Sequence, residues 1–186
     1  HGEMLGQHQW IRKRSAFEGS ARIPFLVKLP KSAGIEQGRQ IESVVELMDV
    51  MPTILDAVGA DIPDSVDGSS VMPLLRDSDS EWREFIHGEC SPLETLDSGM
   101  QFITDGHEKY IYYPATGDEQ FFDLRTDPTE MVNQIDNPAY QDAIARDRRR
   151  LIDELEGRPE GFVLEGELTP VGGPTPPYLP GFENLG

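Results

Sequence analysis

The sequence predicts an α/β protein in which strands and helices come first and a small antiparallel sheet with one helix follows. Three observations support this fold class: an apolar run at residues 23–29, strand-like segments joined by tight turns after Trp82, and an amphipathic pattern at residues 140–155. The 186 residues suit one domain with a tail. We therefore expect three segments: residues 1–80 as the end of an α/β domain, residues 81–156 as an antiparallel sheet with a helix, and residues 157–186 as a Gly/Pro-rich tail.

The first segment is predicted to contain two strands and a helix. Ile23–Leu29 has the pattern of a buried strand because it is a short apolar run stopped by a proline, and Ser43–Leu47 follows as a second strand. Asp49 is the expected N-cap of a helix over residues 50–58, which ends just before Gly59. The apolar side chains of this helix are expected to face the core: Met51, Ile54, Leu55 and Val58.

The second segment changes to strands with short connections. A short helical turn at Val71–Leu75 precedes it, and residues 140–155 read as a helix with Ile144, Leu151, Ile152 and Leu155 on its apolar side. Gly-containing turns join the strands in the manner of hairpins. The four predicted strands are Trp82–Glu89, Gly99–Thr104, Lys109–Tyr113 and Glu119–Leu124.

The charge of the chain limits its partners. It has 16 Lys and Arg against 34 Asp and Glu, a net charge of −18, which argues against binding to nucleic acid or to an anionic membrane. No apolar run reaches the ~18 residues that a transmembrane helix needs. One cysteine excludes an internal disulfide and leaves the compartment open, whether periplasmic, extracellular or cytoplasmic. The basic residues concentrate in positions 1–40.

That basic region begins with a loop that has the composition of an anion site. Glycines at positions 2 and 6 allow positive φ and close approach of a ligand. Two imidazoles, His1 and His8, and the cations of residues 12–14 surround them. A metal ligand and fixed cations suit anionic ester chemistry, because charge on the substrate oxygens must be neutralised as a bond breaks.

The same residues carry a resemblance to a known family. The run His1-Gly2-Glu3-Met4-Leu5-Gly6…His8…Trp10…Lys13…Phe17-Glu18-Gly19-Ser20-Ala21-Arg22-Ile23-Pro24 resembles the type I sulfatases, the arylsulfatase-like members of the alkaline phosphatase superfamily. Phe121-Phe122-Asp123-Leu124…Asp127-Pro128…Glu130…Asn133 resembles the C-terminal subdomain of that family. The resemblance implies the C-terminal part of an alkaline-phosphatase-like α/β domain, followed by a small four-stranded antiparallel sheet with one C-terminal helix.

The resemblance also implies roles for three residues of the loop. His1 would be a metal ligand, directly after an aspartate that we expect to precede it in a longer protein. Lys13, four residues before Phe17, would be catalytic and contact the sulfate, while His8 would either line the substrate site or support the loop. The expected metal is Ca²⁺, with Mn²⁺ open because the imidazole is a nitrogen ligand. The family's formylglycine nucleophile is expected in the missing N-terminal part.

Four further residues are candidates that we interpret as structural or supporting. Cys90 begins a sequence that imitates the formylglycine motif, but Glu94 stands where that motif needs arginine, so we interpret the match as a coincidence. Arg22 is expected to anchor the loop, and Glu3 to be a partner of His1 or Lys13. His87 is expected to be a structural histidine.

The predicted function is therefore that of a sulfuric ester hydrolase fragment. It would supply a metal ligand and a sulfate-contacting lysine but lack the nucleophile, so alone it should be inactive. Its partners would be a sulfate ester and the missing N-terminal portion of the same protein. One alternative is a phosphonate monoester or phosphodiester hydrolase of the same superfamily. Another is a non-catalytic acidic binding module, which would need a complete core within residues 1–80.

Overall fold

A computed structural model of the chain describes residues 1–92 and 99–171. These residues fall into two compact units. The sheet unit contains His1–Ile23 and the described residues from His87 onward, and the helical unit contains Pro24–Ile86. The packing thus groups the first 23 residues with the sheet. The boundaries near residues 80 and 156 stay a prediction about the domains of the longer protein.

The N-terminal residues of the sheet unit form a small hairpin followed by one helical turn. Strands β1 (Met4–Leu5) and β2 (Ile11–Arg12) pair in antiparallel fashion, with Met4 opposite Arg12. Helix α1 (Glu18–Ala21) comes next. The hairpin and α1 together contain the loop that the sequence singled out as an anion site.

The helical unit contains the predicted helices but neither of the predicted strands. Helix α2 (Val50–Ala57) and helix α3 (Met72–Arg76) confirm the helix and the helical turn. The strands predicted at Ile23–Leu29 and Ser43–Leu47 are wrong, since both segments are unpaired among the described residues and Leu26 is 91% exposed. Parallel-type strands are stable only between neighbouring strands and with both faces covered. The described residues provide neither.

Helix α2 also differs from the prediction in what it buries. It begins after Asp49, but the Asp49 carboxylate does not cap it and instead accepts hydrogen bonds from the amides of Glu46 (2.9 Å) and Ser69 (2.9 Å). The predicted apolar face is wrong for the described residues, because Met51, Ile54 and Val58 are exposed. The side chains that α2 buries are Pro52 and Thr53.

The predicted antiparallel sheet is confirmed. Its strands are adjacent in chain order, with a first strand that begins later than predicted. Strands β4, β5 and β6 are antiparallel, and Tyr110 of β5 lies opposite both Ile103 and Phe121. The strands are β3 (Ile86–Cys90), β4 (Met100–Thr104), β5 (Glu108–Tyr113) and β6 (Asp118–Asp123).

The sheet is covered on both faces. Helix α4 (Gln141–Leu155) packs against β4 and β5, and all four of its predicted apolar side chains are buried. Because side chains alternate along a strand, Tyr110 and Tyr112 point to one face and Lys109 and Ile111 to the other. On the second face Ile111 belongs to a cluster with Ala16, Met100, Phe122 and Leu124. The loop before α1 therefore supplies part of the core.

The predicted tail has some structure in its described part. Strands β7 (Val163–Leu164) and β8 (Glu167–Leu168) form a hairpin, and Phe162 beside it is buried. The hairpin shows that residues 163–168 are not simply extended, the tail boundary stays a prediction, and residues 172–186 lie outside the described part. Among the described helices, none combines the length and apolarity needed to cross a membrane.

Candidate functional site

The N-terminal loop is closed by a tight crossing of two backbone segments. The Gly2 amide donates to the Ser20 carbonyl (2.7 Å), and the Glu3 amide donates to the Gly19 carbonyl (2.8 Å). A Cβ at Gly2 would lie 2.3 Å from the Gly19 oxygen, which no real side chain tolerates. The group that approaches Gly2 closely is therefore the backbone of α1 and not a ligand.

The backbone of residues 6–14, which runs through the hairpin toward α1, has several positive φ angles. Gly6 has φ 110°, and His8, Gln9, Arg12 and Arg14 also have positive φ. For residues with a Cβ this conformation costs roughly 1–3 kcal/mol each and persists only where the surroundings impose it. Contacts elsewhere in the sheet unit must therefore hold the loop in place.

The strongest of these contacts is a buried ionic cluster. Lys109 of β5 is fully buried, and its Nζ donates to the Ala16 carbonyl (2.6 Å), to Glu18 Oε1 (2.7 Å) and to Glu130 Oε1 (2.8 Å). The Glu18 amide donates to Glu130 Oε2 (2.6 Å). Burial raises the pKa of the Glu130 carboxyl above its ordinary value, although Lys109 offsets part of that rise.

His8 is engaged in a second contact between the loop and the sheet. Its ring stacks on Phe17, with centroids 3.9 Å apart, and Phe17 packs edge-on against Phe122. Its Nε2 lies 2.9 Å from the Thr129 carbonyl oxygen, which can only accept a hydrogen bond. These contacts give His8 a supporting position, and its substrate-binding role stays a prediction.

Lys13 presents a different picture. Its side chain is exposed, and within residues 1–92 and 99–171 no hydrogen bond or ion pair engages it. Arg12 beside it is exposed as well. The loop therefore carries Lys13 as a charge toward solvent, on a backbone that is held at both ends.

His1 does not form a metal site with the described residues. Its side chain is exposed, and Nδ1 lies 3.2 Å from the Gly2 carbonyl oxygen. No group of three or more His, Cys, Asp or Glu that could hold a metal occurs in the described part of the chain. Glu3 is exposed and contacts neither His1 nor Lys13 in any hydrogen bond seen there. A divalent ion thus does not fit these residues alone.

The remaining candidates have structural contacts. Burial raises the pKa of the Cys90 thiol, although Arg14 lowers it, so the thiol is a poor nucleophile. The last two residues of the imitated motif, Leu93 and Glu94, lie outside the described residues. His87 Nε2 lies 2.8 Å from Gln101 Oε1. Arg22 Nη1 lies 3.3 Å from Glu18 Oε2, and the Arg22 side chain is 73% exposed.

Sequence reasoning missed Lys109 and Glu130 as site residues. A signal was present in the strand pattern, because Lys109 shares the face of Ile111 in a strand whose other face holds Tyr110 and Tyr112. A lysine at an inward position needs buried acceptors. Those acceptors come from residues 91 positions earlier and 21 positions later, which no local pattern connects.

Known proteins share this fold. The phosphonate monoester hydrolase of Silicibacter pomeroyi superposes with a TM-score of 0.70 and 29% identity, over 83% of this chain and 33% of that chain. The fold is thus that of the alkaline-phosphatase-like hydrolases. The profile of the N-sulphoglucosamine sulphohydrolase C-terminal family matches residues 6–157, and the chain belongs to that family.

Two curated relatives are arylsulfatases. One, from Clostridium perfringens, is 43% identical over 169 residues, which cover 90% of this chain and 34% of the relative. Arylsulfatase K of Xenopus laevis is 37% identical over 72% of this chain and 26% of its own length. The chain thus spans about a third or less of these relatives. The predicted resemblance to sulfatases is confirmed, and sulfatases in general use a divalent metal and a formylglycine.

Proposed function

We propose that the longer protein containing this chain is a sulfuric ester hydrolase and that the chain contributes one side of its active site. The family match and the arylsulfatase relatives support this function. The observation that carries the proposal is Lys13, an exposed cation on a loop whose two flanks are tied to a buried core. A sulfate ester provides the anion that such a cation would meet, and the nucleophile would come from outside this chain.

The ammonium of Lys13 would act on the charge that develops as the ester bond breaks. In sulfate ester hydrolysis the bridging oxygen gains electrons as the leaving group departs. A compact ammonium within hydrogen-bond distance stabilises that oxygen more in the transition state than in the bound substrate. Arg12 and Arg14 carry broader, planar cations, which do not replace an ammonium in this position.

A leaving-group series tests the role of Lys13 in the full-length enzyme. Lys13→Ala should lower kcat by about 10²–10³-fold, the loss typical of one preorganised donor. The defect should grow with poorer leaving groups on aryl sulfates, because more charge then needs stabilisation. Arg12→Ala is the matched control and should cost much less. Equal losses of kcat for all leaving groups, or a larger loss for Arg12→Ala than for Lys13→Ala, would mean that Lys13 is not the cation that stabilises the leaving oxygen.

We propose His1 as one ligand of a divalent metal whose other ligands lie outside the chain, with Ca²⁺ expected and Mn²⁺ as the alternative. One imidazole cannot complete the six to eight oxygen-rich positions that Ca²⁺ takes. Calorimetric titration of the isolated chain with either ion should therefore show no tight binding, and the chain should not cleave an aryl sulfate. Micromolar binding by the isolated chain would contradict this placement of His1.

A phosphonate monoester or phosphodiester hydrolase is the second candidate. The 29% identity to the Silicibacter pomeroyi phosphonate monoester hydrolase favours it. The same loop could serve either ester, because sulfate and phosphonate monoesters both present anionic oxygens to a lysine. Initial rates of the full-length enzyme on matched aryl sulfates and aryl phosphonates separate the two functions.

A further inference from the structure

We propose that Lys109, together with Glu18 and Glu130, is a positioning residue that fixes the arc of residues 9–16 and thereby places Lys13. The part that concerns catalysis rests on the proposed function, whereas the part that concerns the arc does not. Lys109 itself is fully buried and so cannot touch a substrate from its present position.

The ionic cluster ties the end of the arc to the sheet at several atoms. Lys109 Nζ reaches both a side chain and the main chain of the loop, namely Glu18 Oε1 (2.7 Å) and the Ala16 carbonyl (2.6 Å). Glu130 receives Lys109 on one oxygen and the Glu18 amide on the other. These bonds are directional, so they define an orientation of residues 16–18 as well as their contact with the sheet.

The start of the arc is tied to the same turn. His8 bonds the carbonyl of Thr129, and Thr129 directly precedes Glu130. The stacking of His8 on Phe17 also brings the two ends of the arc together, at a ring distance of 3.9 Å. Both ends of the arc are therefore hydrogen-bonded to the turn of residues 127–130. The strained residues Gln9, Arg12 and Arg14 lie between them.

The charge of the cluster has a consequence that an apolar contact would not have. If the ammonium is lost, the buried Glu130 carboxylate faces Glu18 without its cation, and Glu18 keeps only the exposed Arg22 at 3.3 Å. An unpaired buried charge is strongly destabilising, and movement of one partner toward water relieves it. Glu18 is the partner that can turn toward water, because its side chain is 18% exposed at the start of α1, whereas the side chain of Glu130 is only 1% exposed. Loss of Lys109 should thus release the arc before it disrupts the sheet.

The test compares Lys109→Met with Arg148→Met in the full-length enzyme. Both replace a cation by a similar apolar chain next to β5, but Arg148 pairs with Glu119 on the other face and contacts nothing in the arc. Amide exchange of residues 9–22 should rise about tenfold or more in Lys109→Met and stay unchanged in Arg148→Met. Glu130→Gln keeps the shape of the side chain and an acceptor for the Glu18 amide, and should give a smaller change in the same direction. Glu130→Gln therefore provides the exchange test if Lys109→Met does not fold.

Kinetics on an aryl sulfate then connect the arc to Lys13. Lys109→Met should lower kcat by about 10–100-fold with little change in KM, as expected for a displaced catalytic group. In a Lys13→Ala background the same substitution should lower kcat by less than about threefold, because the group that it positions is gone. Unchanged exchange in residues 9–22, or full additivity with Lys13→Ala, would overturn the proposal. If the unsubstituted enzyme cleaves no sulfate ester, the proposed function fails while the exchange result still decides whether Lys109 fixes the arc.

Discussion

The sheet unit and the helical unit differ in how much of their apolar surface they bury, although each also exposes some large apolar side chains, such as Leu5 in the sheet unit. In the sheet unit, apolar residues from β4, β5, β6 and α4 are buried on both faces of the sheet. In the helical unit, Leu26, Ile54 and Val58 are 91%, 58% and 74% exposed. The most deeply buried residue of the helical unit is instead a carboxylate, Asp49, at 0% exposure.

This difference shows that the two units depend on different forces. A sheet with both faces covered gains most of its stability from apolar burial. The helical unit buries Val71, Met72 and Leu74, but its most buried group is the Asp49 carboxylate, on which several hydrogen bonds converge, and many of its large apolar side chains stay exposed. Exposed apolar patches of that kind mark surfaces that another element covers. In the longer protein that we propose, we expect segments outside this chain to cover them.

The largest expected effect follows from removing the polar centre of the helical unit. Asp49→Ala takes away the acceptor of Arg83 Nη2 (2.6 Å) and of the Glu46 and Ser69 amides. Breaking a buried pair in this way should cost about 3–5 kcal/mol in the free energy of unfolding. Each unit contains one of the two tryptophans, so fluorescence of Trp82 in a Trp10→Phe background reports urea unfolding of the helical unit.

The control for this prediction is Asp61→Ala, which removes the same charge from an exposed position in the same unit. It should leave the midpoint nearly unchanged. In a Trp82→Phe background, Trp10 should report an unaltered transition of the sheet unit for both variants. A smaller loss for Asp49→Ala than for Asp61→Ala would mean that the polar centre does not organise the helical unit.

The contrast between the units also explains what sequence could predict. The strands and α4 of the sheet unit were predictable because each element is local, and its pattern of buried residues matches its own period. The strand predicted at Ile23–Leu29 rests on an equally clear apolar run, yet Leu26 and its neighbours are exposed. A pattern indicates which residues seek burial, but burial needs a partner surface, and the described residues do not include one.

The site was predictable in part for a related reason. His1, His8 and Lys13 are close in sequence, so a short motif identifies the loop. What holds the loop in place is not local, since Lys109, Glu18 and Glu130 meet only through the fold. Likewise, Asp49 was predictable as a helix boundary, but its bond to Arg83 joins residues 34 positions apart. Long-range polar contacts leave no periodic signal.

A smaller effect is expected from truncating apolar side chains in the two units. Leu151→Ala in α4 removes a fully buried side chain and should cost about 2–5 kcal/mol, because it leaves a cavity in the core. Ile54→Ala in α2 should change stability by less than about 0.5 kcal/mol, since that side chain is 58% exposed. Urea unfolding measures both changes in the free energy of unfolding. Trp10 fluorescence reports on Leu151→Ala, and Trp82 fluorescence reports on Ile54→Ala. Similar losses at the two positions would contradict the difference between the units.

The smallest effect is a pH dependence that belongs to the sheet unit alone. Burial raises the pKa of the Glu130 carboxyl above its ordinary value of 4.5, with Lys109 lowering it in part. Between 4.5 and the raised pKa, the folded state therefore holds a proton that the unfolded chain has released. Stability that Glu130 contributes is fully present below pH 4.5 and is lost as the pH rises through the folded pKa.

Comparison with Glu130→Gln measures the contribution of the cluster around Glu130, because the variant has no titrating group there and the carboxyls that do not interact with Glu130 cancel in the difference. The gap in the free energy of unfolding between the native chain and the variant should be widest below about pH 4.5 and should narrow as the pH rises. Urea titrations at several pH values, followed through Trp10, measure the gap. Trp82 should show none of it, because Glu130 lies in the sheet unit. A gap that widens with pH would mean that the bond to Lys109 outweighs burial, so that the ionic cluster prefers the charged carboxylate.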